Sequence, residues 1–441
     1  MLSKHTWLLI ASIVVLVVVS LAWLPAVQRG QTDTPHYERI AQEVLIWRSG
    51  ASSGIHSEYP PLITAVFAII NTIAEQLDIT FLTAWLITLG VVLIAAVLYA
   101  AWRLTPADPW LIIASVALCG LLLGGTLVLG RYDILVALLL LLCWRSLASH
   151  RYMDSGLWLL LAAGLKLVPL CLLPLLLLHT PRPQRRRILV GASLGVLLAL
   201  AIPLIAIGPR GILTNTHHML AYHGERGVGI ESLWSTTSML LHSSQGLRSS
   251  IDFHHGAFHN ADLPPFVPTL AAAIMGAGLV GIYITAWRRA RTHKNSFLWS
   301  MLTILLWVLA ISPLLSPQYL LWVIVPMFAW VAERAASGSF SPLALIAVAL
   351  ALSTQWVYPW HFGELWYQQS LPLVVLVHIR NVALVALACF LYLAQVDKKI
   401  AQGSKKLPGK LEAEDAPGHR QHHNLQVLEL NWNTVYSKKE D

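Results

Sequence analysis

The sequence predicts an all-α protein that crosses a membrane many times. Of its 441 residues, 56% are hydrophobic and only 12% are charged, which is about half the charge that a soluble protein of this length carries. Apolar runs of roughly 18 residues or more recur along the chain, and each is long enough to cross the hydrocarbon core of a bilayer as a helix. These features together predict a polytopic helical membrane protein.

The positive charges indicate membrane orientation and not a nucleic-acid partner. The formal net charge of +8 comes mostly from Lys and Arg in short loops, and this bias marks cytoplasmic loops. The cysteines all fall inside apolar runs, which favours small core residues over disulfides or a metal site. They are Cys119, Cys143, Cys171 and Cys389.

The first apolar run follows Lys4 and has no clear cleavage site after it, which favours a retained helix over a cleaved signal peptide. We expect clear spans near 7–27, 81–102, 109–129, 134–149, 155–178, 187–208, 266–287, 296–314, 318–333, 342–358 and 372–395.

The run 60–77 poses a topological choice, because it is short and contains polar residues. If it crosses the membrane, Arg103 and later basic loops fall outside the cytoplasm, against the positive-inside rule. If it lies along the outer membrane surface, Arg103 falls inside. We therefore expect a surface-lying helix here.

The run 155–178 poses a second choice. The stretch Gly164–Pro169 breaks the helix and contains Lys166, and a charge at the middle of a bilayer is costly. Two short helices that meet at Lys166 place its ammonium at the outer interface. With both choices made this way, about twelve spans result and both termini lie in the cytoplasm. Residues 1–396 then form the transmembrane domain, and the polar segment 397–441 is expected to be a disordered cytoplasmic tail.

The predicted outer face collects the loops 33–61, 131–133, 209–265, 312–318 and 358–371 together with Lys166. The first of these loops is large, and Asp33-Thr34-Pro35 marks a helix start within it. Tyr37, Ile40, Val44 and Trp47 follow at helical spacing, so this helix is expected to lie on the membrane by one apolar face.

The first outer loop contains the candidate catalytic carboxylates. Asp33 can cap the helix or act as a general base at the boundary between water and lipid, and the two roles are compatible. Glu58 is either a solvated loop residue or a second catalytic candidate. Glu38 and Glu43 are expected on solvated helix faces.

Arg131, Asp133 and Lys166 are candidate phosphate-binding residues. Arg131 and Asp133 form either a plain interface pair or, with Lys166, a site that holds a phosphate and its counter-charges. No residue near Lys166 in the sequence neutralises it, which favours an anionic partner.

The loop 209–265 holds seven of the 18 histidines. His255 and His259 have the spacing of a metal pair, but no third ligand is indicated, so no metal is predicted. Its segment 222–234 contains Arg226 and Glu231 among glycines and aromatics, which is typical of sugar and phosphate sites. The alternative is a Gly-rich turn before a re-entrant helix. We also include His218 among the candidate residues that bind the substrate or a lipid phosphate.

Arg380 lies beside His378 and Asn381 within the last predicted span. Polar groups at that depth usually face the protein interior and often mark function. Arg380 can bind a lipid phosphate, or it can form an internal ion pair with a carboxylate such as Asp133.

Together these residues resemble the GT-C superfamily of integral-membrane glycosyltransferases, and most closely glycosyltransferase family 87. The resemblance covers roughly residues 7–395. Its motifs are Asp33 with Tyr37, Ser57–Leu62, Gly130–Asp133, Ala163–Pro169, Arg226–Ser232, Ser316–Trp322 with Gln318 and Tyr319, and Arg380 with Asn381.

The resemblance implies a multi-pass plasma-membrane hexosyltransferase that moves a sugar, with mannose expected, from a polyprenyl-phosphate donor to a lipid or glycan acceptor. It implies an extracytoplasmic site, Asp33 as the base and no cofactor. Arg131 departs from the family pattern, in which a polar amide and a small residue often precede the Asp, so the donor is not fixed. The alternative is a transporter or lipid flippase, but those place their sites near the midplane and usually contain repeats, and none is visible here.

Overall fold

The computed structural model of the protein describes residues 3–29, 32–290, 297–339 and 341–403, and these are almost entirely helical. The first nine helices are α1 (Lys4–Gln28), α2 (Thr34–Arg48), α3 (Pro61–Gln76), α4 (Phe81–Arg103), α5 (Asp108–Cys119), α6 (Gly125–Gly130), α7 (Asp133–Ala148), α8 (Tyr152–Leu165) and α9 (Leu173–His179). The others are α10 (Arg185–Ala206), α11 (Gly208–Gly224), α12 (Leu233–Ser244), α13 (Val267–Ala290), α14 (Phe297–Ile311), α15 (Leu321–Ala336), α16 (Pro342–Gln355) and α17 (Leu371–Gly403).

Short 3₁₀ segments lie at Val168–Leu172, Arg182–Gln184 and Pro317–Leu320, and π-helical turns at Gly120–Gly124, Trp356–His361 and Glu364–Gln368. Two short antiparallel strands, β1 (Ile251–His254) and β2 (Ala257–Asn260), form a hairpin between α12 and α13.

The predicted class, an all-α polytopic membrane protein, is confirmed. Within the described residues, eight helical stretches are long and apolar enough to cross a bilayer, and shorter apolar helices accompany them. The shorter ones include α3, α8 and α14. The total of about twelve spans, and the surface position of 60–77, stay predictions. The helix α17 continues to Gly403, past the expected domain boundary at 396, and the rest of the predicted tail, 404–441, lies outside the described residues.

The helix α8 ends at Leu165, as the sequence predicts. Lys166 has extended backbone angles (φ −151°, ψ 129°), and Pro169 lies inside the following 3₁₀ turn. The segment therefore interrupts the helical path and leaves Lys166 between two short apolar helices. Glycine allows α8 to approach α10 closely, because a Cβ at Gly191 would overlap the carbonyl oxygen of Met153.

The helix α2 packs differently from the prediction. Its residues Tyr37, Ile40 and Val44 are buried, and the Tyr37 ring stacks on Phe67 of α3 with 4.4 Å between ring centroids. Trp85 of α4 lies 5.6 Å from the same ring. The expectation that this apolar face lies on lipid was wrong, because α3 and α4 supply an aromatic surface that covers it.

The hairpin forms a small platform with the chain that leads to Glu231. Asn260 N–H donates to the Val228 carbonyl at 2.9 Å, and Ile230 N–H donates to the Phe258 carbonyl at 3.1 Å. Gly229 N–H donates to the Pro313 carbonyl at 2.9 Å, which ties the platform to the loop after α14. These bonds bring residues from the predicted outer loops 209–265 and 312–318 to one end of the helical assembly.

Candidate active site

One cavity of about 870 Å³ lies where α2, the start of α7, the break at Lys166, the C-terminus of α11 and the hairpin converge. We refer to it as the site cavity. All but two of the predicted site residues line it. They are Asp33, Tyr37, Glu58, Arg131, Asp133, Lys166, Arg226, Glu231, Gln318 and Tyr319.

His218 and Arg380 are the two that do not line the site cavity. The His218 ring lies beside His56, with 5.3 Å between ring centroids. Arg380 is buried and donates from Nη1 to Glu231 Oε2 at 3.1 Å. The internal ion pair is therefore the arrangement found for Arg380, but its partner is Glu231 and not Asp133. Because the Arg380 guanidinium is bonded to Glu231 and Asn381 and does not line the site cavity, the structure gives no support to direct phosphate binding by Arg380.

Asp33 occupies the N-cap position of α2, but its side chain makes no capping hydrogen bond. Its carboxylate forms an ion pair with Arg131 instead. Arg131 also donates to the Tyr358 hydroxyl and lies over that ring, 5.5 Å from its centroid. Asp33 therefore caps α2 by its backbone position only. Its carboxylate is 28% exposed and is held toward the site cavity by Arg131.

Lys166 has a carboxylate partner inside the protein. Its Nζ lies 3.7 Å from Asp133 Oδ1 and donates to the Tyr132 hydroxyl at 2.8 Å. Trp322 Nε1 donates to the same Asp133 oxygen at 3.1 Å, and the ammonium lies 4.7 Å from the centroid of the Tyr319 ring. Asp133 is therefore an anionic partner of Lys166 within the protein, because α7 begins beside the helix break, and a bound phosphate stays a prediction. The ammonium is fixed in an aromatic surrounding that lines the site cavity.

Glu58 is held by a histidine of α2. His36 Nε2 contacts Glu58 Oε1, and the His36 ring also lies 5.9 Å from the Tyr59 ring. Burial opposes ionisation of Glu58, but the hydrogen bond and the charge of His36 outweigh it, so the pKa of Glu58 lies below its ordinary value of 4.5. Glu43 is not simply solvated either, since His56 N–H and Nδ1 contact its carboxylate at 2.8 and 2.7 Å.

The lowered pKa of Glu58 predicts an acid-dependent contribution to stability. A depressed carboxyl pKa contributes stability above the unfolded-state pKa, and this contribution disappears as the pH falls through the folded-state pKa. We therefore expect Glu58→Gln to be less stable than the wild type at pH 6 to 7, and the difference to shrink as the pH falls below about 4. Thermal unfolding in detergent across this pH range measures it. Glu38→Gln, on the same helix as His36, is the control, and an equal, pH-independent loss in both variants would contradict the assignment.

Arg39 and Arg226 are the cations of the site cavity that have no carboxylate within ion-pair distance among the described residues. The Arg226 guanidinium lies 5.2 Å from the centroid of the Tyr222 ring, and Arg39 Nη2 contacts His36 Nδ1 at 2.8 Å. Burial, followed by the charges of Arg226 and Lys166, lowers the pKa of the neighbouring His223. Guanidinium groups without a carboxylate partner are suited to binding an anionic ligand.

One wall of the site cavity is apolar. It is formed by the residues after Lys166 and by the end of α14 with its following loop. Leu167 is 53% exposed although it lines the cavity. The wall consists of Leu167, Val168, Val308, Leu309, Leu314 and Leu315.

The sequence did not single out several residues of the site cavity. His36 and Arg39 face it from α2, one helical turn from Asp33 and His36 respectively, and this spacing was available as a signal. Tyr222 and His223 were part of the predicted segment 222–234, although neither was chosen. Tyr358, Phe253 and Phe258 had no local signal, because only the tertiary fold brings them to the cavity. The described residues contain no group of three His, Cys, Asp or Glu placed to hold a metal.

A many-helix membrane protein with a cavity rich in carboxylates and cations beside an apolar wall fits the class of integral-membrane glycosyltransferases. The sequence matches glycosyltransferase family 87 over residues 58–317, which is more than half of the chain. The chain therefore belongs to that family and is an integral-membrane glycosyltransferase. Searches of curated proteins and of solved structures found no match.

Proposed function

We propose that the protein transfers a hexosyl group, with mannose as the expected sugar, from a polyprenyl-phosphate donor to an acceptor hydroxyl at the extracytoplasmic face. One observation carries this proposal. The fold places Asp33, Lys166, Arg131 and Arg226 around a single cavity that also has an apolar wall. A base, phosphate-binding cations and a surface for a lipid chain are the parts that this reaction needs.

The donor phosphate is expected to lie against Lys166 and Arg226. Lys166 is already fixed by Asp133 and Tyr132, so it is preorganised for charge that develops on the leaving phosphate. Arg226 has no carboxylate partner among the described residues and can contact two phosphate oxygens at once. The apolar wall from Leu167 then gives the first isoprene units a path toward the bilayer.

The transfer is a single displacement in this scheme. Asp33 takes the proton of the acceptor hydroxyl while its oxygen forms a bond to the anomeric carbon. The bond between that carbon and the phosphate oxygen breaks, and its electron pair leaves on the polyprenyl phosphate. Arg131 holds the Asp33 carboxylate in position. One base and one displacement invert the anomeric configuration, and Glu58 is the second candidate for the base.

A comparison of donors tests the proposal. Purified protein in proteoliposomes is supplied with the same labelled sugar, linked either to a polyprenyl phosphate or to a nucleoside diphosphate, together with membrane extract as the source of acceptor. We expect label in product only from the lipid-linked donor. Transfer from the nucleotide sugar alone would contradict the proposal.

Arg226→Gln is expected to raise the apparent KM for the polyprenyl-phosphate donor about 10-fold, because a charge-assisted hydrogen bond to phosphate is lost. The acceptor KM should change much less. Initial rates at varied donor concentration measure the effect. Arg248→Gln, which changes an exposed arginine outside the site cavity, is the matched control, and an unchanged donor KM in Arg226→Gln would remove Arg226 from the phosphate site.

A further inference from the structure

One aromatic side chain of the hairpin, that of Phe253, lines the site cavity and is still largely exposed. Phe253 of β1 pairs directly with Phe258 of β2, and residues directly opposite one another share a face of the sheet. Phe258 turns that face toward the protein, where it stacks on Trp366 with 4.2 Å between ring centroids. Phe253 contacts Phe258 at 4.8 Å and lines the site cavity, yet it is 65% exposed.

The hairpin holds Phe253 in a fixed position. Its turn uses left-handed backbone at His255 (φ 48°) and Gly256 (φ 63°), which suits a tight two-residue connection. Tyr222 donates its hydroxyl proton to the His255 carbonyl. Gln369 bonds both the N–H and the carbonyl of Ser249, at 2.9 and 2.6 Å, just before β1. The exposed ring is therefore preorganised.

Phe253 lies at the mouth of the site cavity. Tyr132 and Asp133 are each 1% exposed and form its deep end, whereas Phe253 and His223, which also line the cavity, are exposed. Arg226 lines the cavity nearby, over the Tyr222 ring. An aromatic face beside hydrogen-bonding side chains suits a ligand with one apolar face and a polar rim.

We propose that Phe253 is a stacking platform for a sugar ring of the acceptor, so that the acceptor is a carbohydrate. This inference rests on the proposed function, because a lipid-linked donor identifies the sugar at the cavity mouth as the acceptor. The C–H face of a pyranose packs on the Phe253 ring, while a hydroxyl of the sugar bonds to His223, which leaves Arg226 to the donor phosphate. The acceptor enters through the aqueous mouth, where Phe253 lies, and the donor phosphate occupies the deeper positions around Lys166.

The test measures sugar binding without requiring transfer. Full-length protein in nanodiscs containing polyprenyl phosphate is titrated with the methyl glycosides of mannose, glucose and galactose, and magnetisation transfer from protein to sugar protons is recorded by NMR. The linear polyol mannitol is the control ligand, because it has no ring face. We expect at least one glycoside to receive signal on the C–H protons of one ring face, and mannitol to receive none.

Phe253→Ala should weaken that binding about 3- to 10-fold, and Phe253→Trp should retain it. Phe266→Ala is the matched control, since Phe266 is 61% exposed and does not line the site cavity. Binding that is absent, or equal in the wild type and Phe253→Ala, would overturn the proposal. So would a benzoylphenylalanine at position 253 that crosslinks to phospholipid, because Phe253 would then be a membrane anchor. If glycoside binding depends on Phe253 but polyprenyl-phosphate sugar is not a donor, the platform stands and the proposed donor fails.

Discussion

Replacing Asp33 with Asn is expected to lower the rate of sugar transfer by about 10²- to 10⁴-fold, the contribution of a positioned general base. The amide keeps the size of the side chain but cannot take the acceptor proton. The donor KM should change little, because the proposed phosphate contacts come from Lys166 and Arg226. Initial rates with labelled polyprenyl-phosphate sugar measure the loss.

The controls for Asp33 separate chemistry from folding. Asp252→Asn changes an exposed carboxylate of the hairpin that does not line the site cavity, and its rate should match the wild type. Because Asp33 pairs with Arg131, thermal unfolding of each variant shows whether the protein still folds. A folded Asp33→Asn variant that keeps more than about a tenth of the rate contradicts the assignment. If Glu58→Gln alone then abolishes transfer, Glu58 is the base.

Replacing Lys166 with Met should both destabilise the protein and abolish transfer. The change leaves Asp133, which is 1% exposed, as a buried carboxylate without its cation, and breaking a buried pair in this way costs about 3 to 5 kcal/mol. In the proposed mechanism, loss of the ammonium also removes the charge that stabilises the leaving phosphate. Thermal unfolding and initial transfer rates report the two effects separately.

A double variant distinguishes the structural role of Lys166 from its chemical role. Lys166→Met with Asp133→Asn has no unpaired charge at this position, so most of the lost stability should return. Transfer should remain abolished in the double variant, because neither replacement supplies a cation. Recovery of transfer together with stability would show that Lys166 serves the fold alone and does not contact the phosphate.

The sequence predicted the convergence of the site residues because orientation is a global constraint. The positive-inside rule assigned Asp33, Asp133 and Lys166 to one face, and residues on one face of a small helical bundle have few places to meet. The break at Lys166 was also predictable, since the cost of a charge in lipid disfavours a continuous helix there. These arguments predict which end of a span a residue occupies.

Partners could not be predicted, because they depend on how helices rotate and pack. The sequence showed Lys166 without a neighbour, yet α7 brings Asp133 to 3.7 Å from it. It offered Asp133 only as an example of a carboxylate partner for Arg380, and nothing local indicates that Glu231 reaches Arg380 of α17. The helix α2 is amphipathic whether its apolar face meets lipid or protein. The burial of that face against Phe67 therefore followed only from the fold.

The most direct measurement follows both products of one reaction. Purified protein in proteoliposomes is given labelled polyprenyl-phosphate-mannose and acceptor, and the labelled glycan and the released polyprenyl phosphate are quantified, with the anomeric configuration determined by NMR. The proposed mechanism predicts equal amounts of the two products, an inverted configuration, and loss of both products in Asp33→Asn. A retained configuration, or label that reaches the acceptor without release of polyprenyl phosphate, would contradict it.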